Sequence, residues 1–246
     1  MLSIVIPTLD ESKTGYLKKI LEAYSSLENC EIICVDGGSQ DDTLAVIQSF
    51  NARLIQTDIR SRAGRQNEGI KAARFDMVLL NHPRSVVDIE GINALIKQRD
   101  SVQWGAFTHK FDVSHPLLVF TSWYSNFIRG GLRHIYYLDH CIFAQKQLLE
   151  KVGLVPDVDI FEDTDLCLRL RKEGKAKRLA YLSETSAVRF VSNNLYKQAM
   201  LNQKLKWQYY LKSSDKSMNK RYEQGLELNT HYEIKREDKS QTSQPK

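Results

Sequence analysis

The sequence predicts an α/β fold, a mainly parallel central sheet with helices on both sides. Three observations carry this. Apolar runs of strand length alternate with stretches of helical periodicity through the N-terminal part of the chain. The earliest runs, Ile4-Val5-Ile6 and Ile32-Ile33-Cys34-Val35, are apolar at consecutive positions, as strands covered on both faces are. The second run then breaks at Asp36-Gly37-Gly38-Ser39 and passes into a helix, which makes a strand–turn–helix junction.

Residues 3–8 read as the first strand, stopped by Pro7. Leu9-Asp10-Glu11-Ser12 is a loop. Tyr16, Leu17, Ile20, Leu21 and Tyr24 fall at helical spacing. The second strand stops at Asp36, and Leu44, Ile47 and Phe50 share one face of a helix capped by Ser39 or a neighbouring acid. Ligands of open α/β sheets sit outside the carboxyl ends of the strands. Asp36 is therefore placed either to touch a ligand or only to organise its turn, and both readings stay open. Residues 53–56 are a short third strand. Residues 61–69 read as a polar loop opening a helix through Ile70, Ala72 and Ala73. Residues 76–80 are a fourth strand, ending at Asn81-His82-Pro83-Arg84.

Residues 86–98 read as a helix. Trp104-Gly105-Ala106-Phe107 and Phe111 read as strands turned toward a cleft. The aromatic-rich residues 115–133 read as a helix with a mobile loop, and residues 136–143 as a strand containing Asp139. A short helix over 147–152 is ended by Gly153. At Phe161-Glu162-Asp163-Thr164-Asp165, acids crowd the first turn of a helix whose last turn is basic and which Gly174 follows. The helix dipole favours that arrangement. Capping accounts for some of these acids, but four acids or hydroxyls in a row exceed what a cap needs, so one is expected to have a functional role. Residues 179–182 are a further strand. Residues 195–211 are a long helix with Tyr196, Met200, Trp207 and Leu211 along one side. We expect one domain over residues 1–215 and a polar tail of disordered composition over 216–246.

A hydrophobic content of 42% and a charged content of 26% belong to a globular domain with a sizeable core. No apolar run approaches the roughly 18 residues that span a bilayer. The N-terminus lacks the basic region of a signal peptide. The expectation is a cytoplasmic protein. Cys30, Cys34, Cys141 and Cys167 form no C-x-x-C pair, so buried reduced thiols are expected rather than a metal cluster or disulfides. The net charge of +5 is uneven: residues 166–220 carry 13 Lys+Arg against 3 Asp+Glu. Such an excess suits a phosphate-bearing ligand or a membrane surface, and equally a solvated helical face.

Several of these pieces, in this order, resemble family 2 glycosyltransferases, which have a GT-A fold. The carrying residues are Ile4-Val5-Ile6-Pro7-Thr8-Leu9-Asp10-Glu11, then Val35-Asp36-Gly37-Gly38-Ser39-Gln40-Asp41-Asp42-Thr43. Arg62 to Asn67 with Gly69 follow, and then Phe161-Glu162-Asp163-Thr164-Asp165-Leu166. The Gly37-Gly38 pair, the Arg-Gln-Asn loop and Thr185-Ser186-Ala187-Val188-Arg189-Phe190 resemble a bacterial glycosyltransferase-like subgroup known as "transferase 2". The resemblance covers roughly residues 2–225.

It implies a nucleotide-diphosphate sugar donor and an acceptor hydroxyl, lipid-linked in one version, with no nucleic acid partner. By resemblance, Pro7, Thr8 and Glu11 line the nucleoside pocket with Asn81, and Asp36 accepts hydrogen bonds from the base. Arg62 and Arg65 face the donor, where a guanidinium grips phosphate. Glu162-Asp163 matches the acidic pair of inverting members, in which one carboxylate, most often the Asp, is the base. Asp139 is expected to position the acceptor.

The family usually carries Asp-x-Asp at the end of strand four to hold Mn²⁺ or Mg²⁺, and Pro83 stands at that position here. Three outcomes follow: arginines (Arg62, Arg65, Arg84) replace the metal's charge, His82 or Asn81 holds a weak metal, or the site binds without turning over. A rival enzyme class, a nucleotidyltransferase, lacks its Gly-rich, Lys-containing N-terminal phosphate loop. The basic C-terminal part and Trp207 suit peripheral contact with an anionic membrane, but a helix packed onto the catalytic domain is the reading preferred for this segment.

Overall fold

The computed structural model describes residues 1–223, so most of the expected tail, residues 224–246, lies outside the described residues. Contacts divide the chain into two compact units, Met1–Ala187 and a second beginning at Val188.

The first unit is built on eight strands: β1 Leu2–Thr8, β2 Cys30–Asp36, β3 Arg53–Gln56, β4 Met77–Leu80, β5 Ser85–Val87, β6 Trp104–Phe111, β7 Ile142–Gln145 and β8 Lys177–Thr185. They form one sheet in the order β3-β2-β1-β4-β7-β6-β8-β5. The β1–β2, β1–β4, β2–β3 and β6–β8 pairs are parallel. The β4–β7, β6–β7 and β5–β8 pairs are antiparallel. The predicted sheet with helices on both sides is present, and its C-terminal half is mixed.

Helices α1 Tyr16–Tyr24, α2 Thr43–Gln48 and α4 Ile89–Gln98 cover one face, where Leu17, Ile20, Ile47 and Leu95 pack on Ile4, Ile6 and Leu79. Helices α3 Arg62–Ala72, α6 Lys146–Lys151 and α7 Glu162–Glu173 cover the other, where Ala63, Ile70, Leu149, Leu166 and Leu170 pack on Val5, Val35 and Val78. Gly69 lets α3 lie directly on β1, since a Cβ there would come 2.2 Å from Val5 Cγ1.

Several boundaries differ from expectation, each for a local reason. Pro7 lies inside β1. The β1–β4 pairing stops at Val5–Leu80 while the β1–β2 pairing runs on to Thr8–Asp36, so the missing N–H costs no ladder bond toward β4. Residues 62–69 are helix, because Ser61 caps α3 by accepting the Gly64 N–H at 3.1 Å. Residues 85–87 are a strand before α4. The predicted strand over 136–143 is interrupted by a 3₁₀ turn, Leu138–His140, and by Cys141 at φ 51°, so only β7 remains. Within residues 115–133, His115 is an extended cap and the rest is helical: α5 Pro116–Trp123 runs into a π-helical segment, Tyr124–Leu132.

The second unit contains α8 Val188–Ser192, α9 Leu195–Tyr210 and α10 Asp215–Glu223. Asn194 caps α9, accepting the Tyr196 N–H at 3.1 Å. Tyr196, Met200, Trp207 and Leu211, the apolar side read from the sequence, are each more than 60% exposed. The start of the predicted tail is helical: α10 includes residues 216–223 and buries Met218. No helix among the described residues is long and apolar enough to cross a membrane.

Candidate active site

The carboxyl ends of β1 and β2 meet at a turn held by side chains. Asp36 is fully buried. Its Oδ1 accepts the Gly38 and Ser39 N–H groups at 2.9 and 2.8 Å, and its Oδ2 accepts the Ser39 hydroxyl at 2.5 Å and the Thr8 hydroxyl at 3.1 Å. A carboxylate has about four acceptor positions, and protein donors take four. Of the two readings left open, the geometry favours Asp36 as organiser of the turn over Asp36 as partner of a base.

The loop after β1 is tied to the loop after β2 in the same way. Asp10 Oδ1 accepts the Gln40 N–H at 2.7 Å, and the Thr43 hydroxyl accepts the Glu11 N–H at 2.8 Å. Asp41 accepts from the Ser12 hydroxyl at 2.6 Å. Pro7 and Thr8 are buried at the end of β1. Arg65 is buried beneath the turn and donates to the Thr8 carbonyl. A Cβ on Gly37 would come 2.9 Å from the Ile59 carbonyl and 3.0 Å from Arg65 Cδ, so glycine is required there. Arg60 lies at the same turn, with Nη2 3.7 Å from where a Gly38 Cβ would stand. The sequence reading missed Arg60, whose cue was a base just ahead of the α3 cap.

The turn after β4 answers the question of the missing metal acid. Asn81 is fully buried and committed to the protein. It accepts from the Tyr24 hydroxyl at 2.8 Å and donates to the His82 and Ser85 carbonyls at 2.9 and 3.0 Å. Its side-chain oxygen and nitrogen are thus both bonded within the protein. His82 Nδ1 accepts the Arg84 N–H at 3.1 Å. Arg84 turns back to Glu11, with Nε–Oε2 2.8 Å and Nη2–Oε1 3.1 Å. Glu11 is therefore a structural ion-pair partner, and the Arg84 charge is matched inside the protein. Among the described residues no group of three His, Cys, Asp or Glu side chains could hold a metal ion. Hard divalent ions want carboxylate oxygens, and this turn does not supply them, so its residues do not fit the expected Mn²⁺ or Mg²⁺.

The start of α7 faces the start of α3. Arg62 Nε meets Glu162 Oε1 at 2.5 Å, and Glu162 is buried while its Oε2 has no hydrogen-bond partner. Asp163 Oδ2 accepts the Leu138 N–H at 2.8 Å and its Oδ1 accepts the Thr164 N–H at 2.6 Å. Burial first, and then the negative charge of Glu162, push the Asp163 carboxyl up to about 7, against the pull of Arg62. Through Leu138, Asp163 is joined to the 3₁₀ turn that carries Asp139, so the acids at residues 139, 162 and 163 come together.

Behind Asp139 lies a buried polar group that the sequence reading did not single out. Asp139 Oδ2 stands 4.0 Å from His109 Nε2. Ser122 binds His109 Nδ1 at 3.1 Å, Ser125 binds His140 Nε2 at 2.7 Å, and Arg129 donates to Ser125. The Arg129 guanidinium stacks on the Tyr137 ring. Burial raises the Asp139 carboxyl, but its electrostatic interactions with His109, His82, His140 and Arg129 outweigh it and hold the group below its usual range. Burial, reinforced by Arg129, lowers His109 to about 4, so it is neutral near pH 7. His109, Ser122, the Ser125–Arg129 pair and the Asp139–His140 pair lie on four different elements, and periodicity alone marks them only as core.

Residues 3–83 match the family model described as Glycosyl transferase family 2. A putative glycosyltransferase TagX from Staphylococcus aureus is 28% identical over 115 residues, 41% of this chain and 32% of the relative. A dolichyl N-acetyl-alpha-D-glucosaminyl phosphate 3-beta-D-2,3-diacetamido-2,3-dideoxy-beta-D-glucuronosyltransferase from Methanococcus voltae is 36% identical over 90 residues, 32% of this chain and 27% of the relative. The chain thus spans about a third of the length of the curated relatives that it matches. Among solved structures, Staphylococcus aureus TarS 1–349 in complex with UDP-GlcNAc superposes with a TM-score of 0.61 at 18% identity, covering 75% of this chain and 58% of that one. That likeness shows the GT-A fold.

Proposed function

This chain resembles family 2 glycosyltransferases in its N-terminal segment and has the GT-A fold, and on that premise we propose that it transfers a sugar from a nucleotide-diphosphate sugar to an acceptor hydroxyl, with inversion. The observation that carries the reading is Asp163. It is a buried carboxylate at a helix start, raised to about 7, with one oxygen fixed on the Leu138 N–H and its partner acid Glu162 fixed on Arg62. A base poised near the working pH is what deprotonation of a sugar or alcohol hydroxyl asks for.

In this reading Asp163 takes the acceptor proton. The unpartnered Oε2 of Glu162 accepts a hydroxyl of the bound sugar or acceptor. Asp139, ionised beside the Arg129 guanidinium, orients the acceptor. Thr8, Pro7 and the Gly37-Gly38 turn shape the nucleoside pocket, and Arg60 meets the pyrophosphate. No step is routed through a divalent ion. A lipid-linked acceptor and a peripheral membrane contact of the basic C-terminal region, with its exposed Trp207, belong to the same proposal.

The Pro83 turn favours a second reading, a nucleotide-sugar-binding protein without turnover. Incubation of the wild type and Asp163→Asn with UDP- and GDP-sugars separates the two. Release of UDP or GDP by the wild type and not by the variant supports transfer. Binding of nucleotide with no turnover by either supports the second reading.

A further inference from the structure

Helix α5 and the π-helical segment after it present two unlike faces. The inner face is buried and polar, through Ser122, Ser125, Asn126 and Arg129 behind Asp139. The outer face is apolar and open: Val119, Phe120, Trp123, Tyr124, Phe127 and Leu132 are between 39% and 74% exposed. Its aromatic rings form a connected strip, with Phe120–Trp123 centroids 5.9 Å apart and Trp123–Phe127 centroids 6.3 Å apart. A contiguous exposed patch of this kind marks an interaction surface.

Charge selects the partner. Residues 113–138 contain no Asp or Glu. Arginines border the strip: the Arg178 guanidinium lies 4.6 Å from the Phe127 ring centre, Arg133 is exposed next to Leu132, and Arg171 donates to the Arg133 carbonyl at 3.3 Å. Exposed aromatics with basic side chains around them suit the headgroup region of a membrane, where rings enter the acyl boundary and guanidinium groups meet lipid phosphate. A two-fold contact with a second copy would set this acid-free, arginine-bordered surface against itself.

We propose that the outer face of residues 116–132 seats on an anionic phospholipid bilayer. These residues belong to the first unit and not to α9, and the inference does not depend on sugar transfer. Seated in this way, the segment brings the inner-face residues behind Asp139 to headgroup level.

The test uses the full chain with vesicles of phosphatidylcholine, with and without phosphatidylglycerol. A Trp207→Phe chain retains Trp123 and the buried Trp104 as fluorophores. With the anionic vesicles its emission moves to the blue and is quenched by acyl chains brominated near the headgroup, and added salt reverses both changes. In flotation, Phe120→Ser with Trp123→Ser lowers partition by at least about tenfold with an unchanged melting temperature. Absence of partition, binding without quenching in the Trp207→Phe chain, or undiminished partition of the double variant overturns the proposal. A lipid-free dimer that the double variant dissolves overturns it too, and assigns the face to a second copy.

Discussion

Glu11 and Arg84 form a two-point ion pair inside the protein, with Nε–Oε2 at 2.8 Å and Nη2–Oε1 at 3.1 Å, both side chains about 5% exposed. The pair joins the loop after β1 to the turn after β4, at the place where the resemblance led one to expect a metal-binding acid. An unpaired buried charge is costly, whereas removal of both partners is tolerated far better. Arg84→Met alone is therefore expected to destabilise the protein by about 3–5 kcal/mol. Glu11→Gln combined with Arg84→Met is expected to recover more than half of that loss. Urea unfolding of the two variants checks this. Equal losses in both would mean that leaving Glu11 unpaired costs little and that the loss comes from the missing Arg84 side chain itself.

The same turn bears on metal dependence. With Asn81 bonded to Tyr24, His82 and Ser85, and Arg84 bonded to Glu11, no carboxylate is left there for a divalent ion. Affinity for UDP or GDP is expected to change by less than about threefold between Mn²⁺ and EDTA, a free energy below ~0.7 kcal/mol. Calorimetric titration in both buffers measures it. A loss of about tenfold or more in EDTA would mean that residues other than this turn bind an ion.

Much of the site's framework was legible in the chain. The ends of β2 at Asp36 and β3 at Gln56 were readable because apolar runs stop there against glycine and polar clusters. What escaped depended on pairs distant in sequence. Nothing local to Glu11 announces Arg84, 73 residues away, and nothing local to His109 announces Asp139. Asp36 was ambiguous for a different reason: a ligand-facing acid and a turn-forming acid occupy the same strand end, and only the direction of Ser39 and Thr8 separates them. The helix start at Arg62 is hidden in the sequence because its first turn is as polar as a loop, and the Ser61 cap does not stand out from that polar run.

Asp36 provides a sharp distinction. As the organiser of the turn it takes two backbone N–H groups and two hydroxyls. Asp36→Asn replaces acceptor positions with an NH₂ that faces donors, so a loss of about 1–3 kcal/mol in stability is expected with or without nucleotide. The ratio of UDP to GDP affinity is expected to stay the same. A shifted ratio at unchanged stability would instead place Asp36 on the base.

Asp163 couples chemistry to stability. Its folded carboxyl is raised to about 7 from an ordinary value near 3.8, mainly by burial. The protonated form is therefore favoured by folding. That contribution is full below the ordinary value and is lost as pH rises through about 7. Near pH 8 the wild type carries a buried charge that Asp163→Asn does not. The variant is expected to be more stable there, by about 1–3 kcal/mol, and to lose this advantage near pH 5. As a base, Asp163 works only when ionised, so kcat is expected to rise through pH 7 in the wild type and to fall at least about a hundredfold in the variant. Glu162→Gln keeps Asp163 and removes its negative neighbour, so its rate profile is expected to shift toward lower pH. Thermal melts and pH–rate profiles of the three proteins decide it. A variant that loses activity without gaining stability at pH 8 would show that burial does not hold Asp163 protonated.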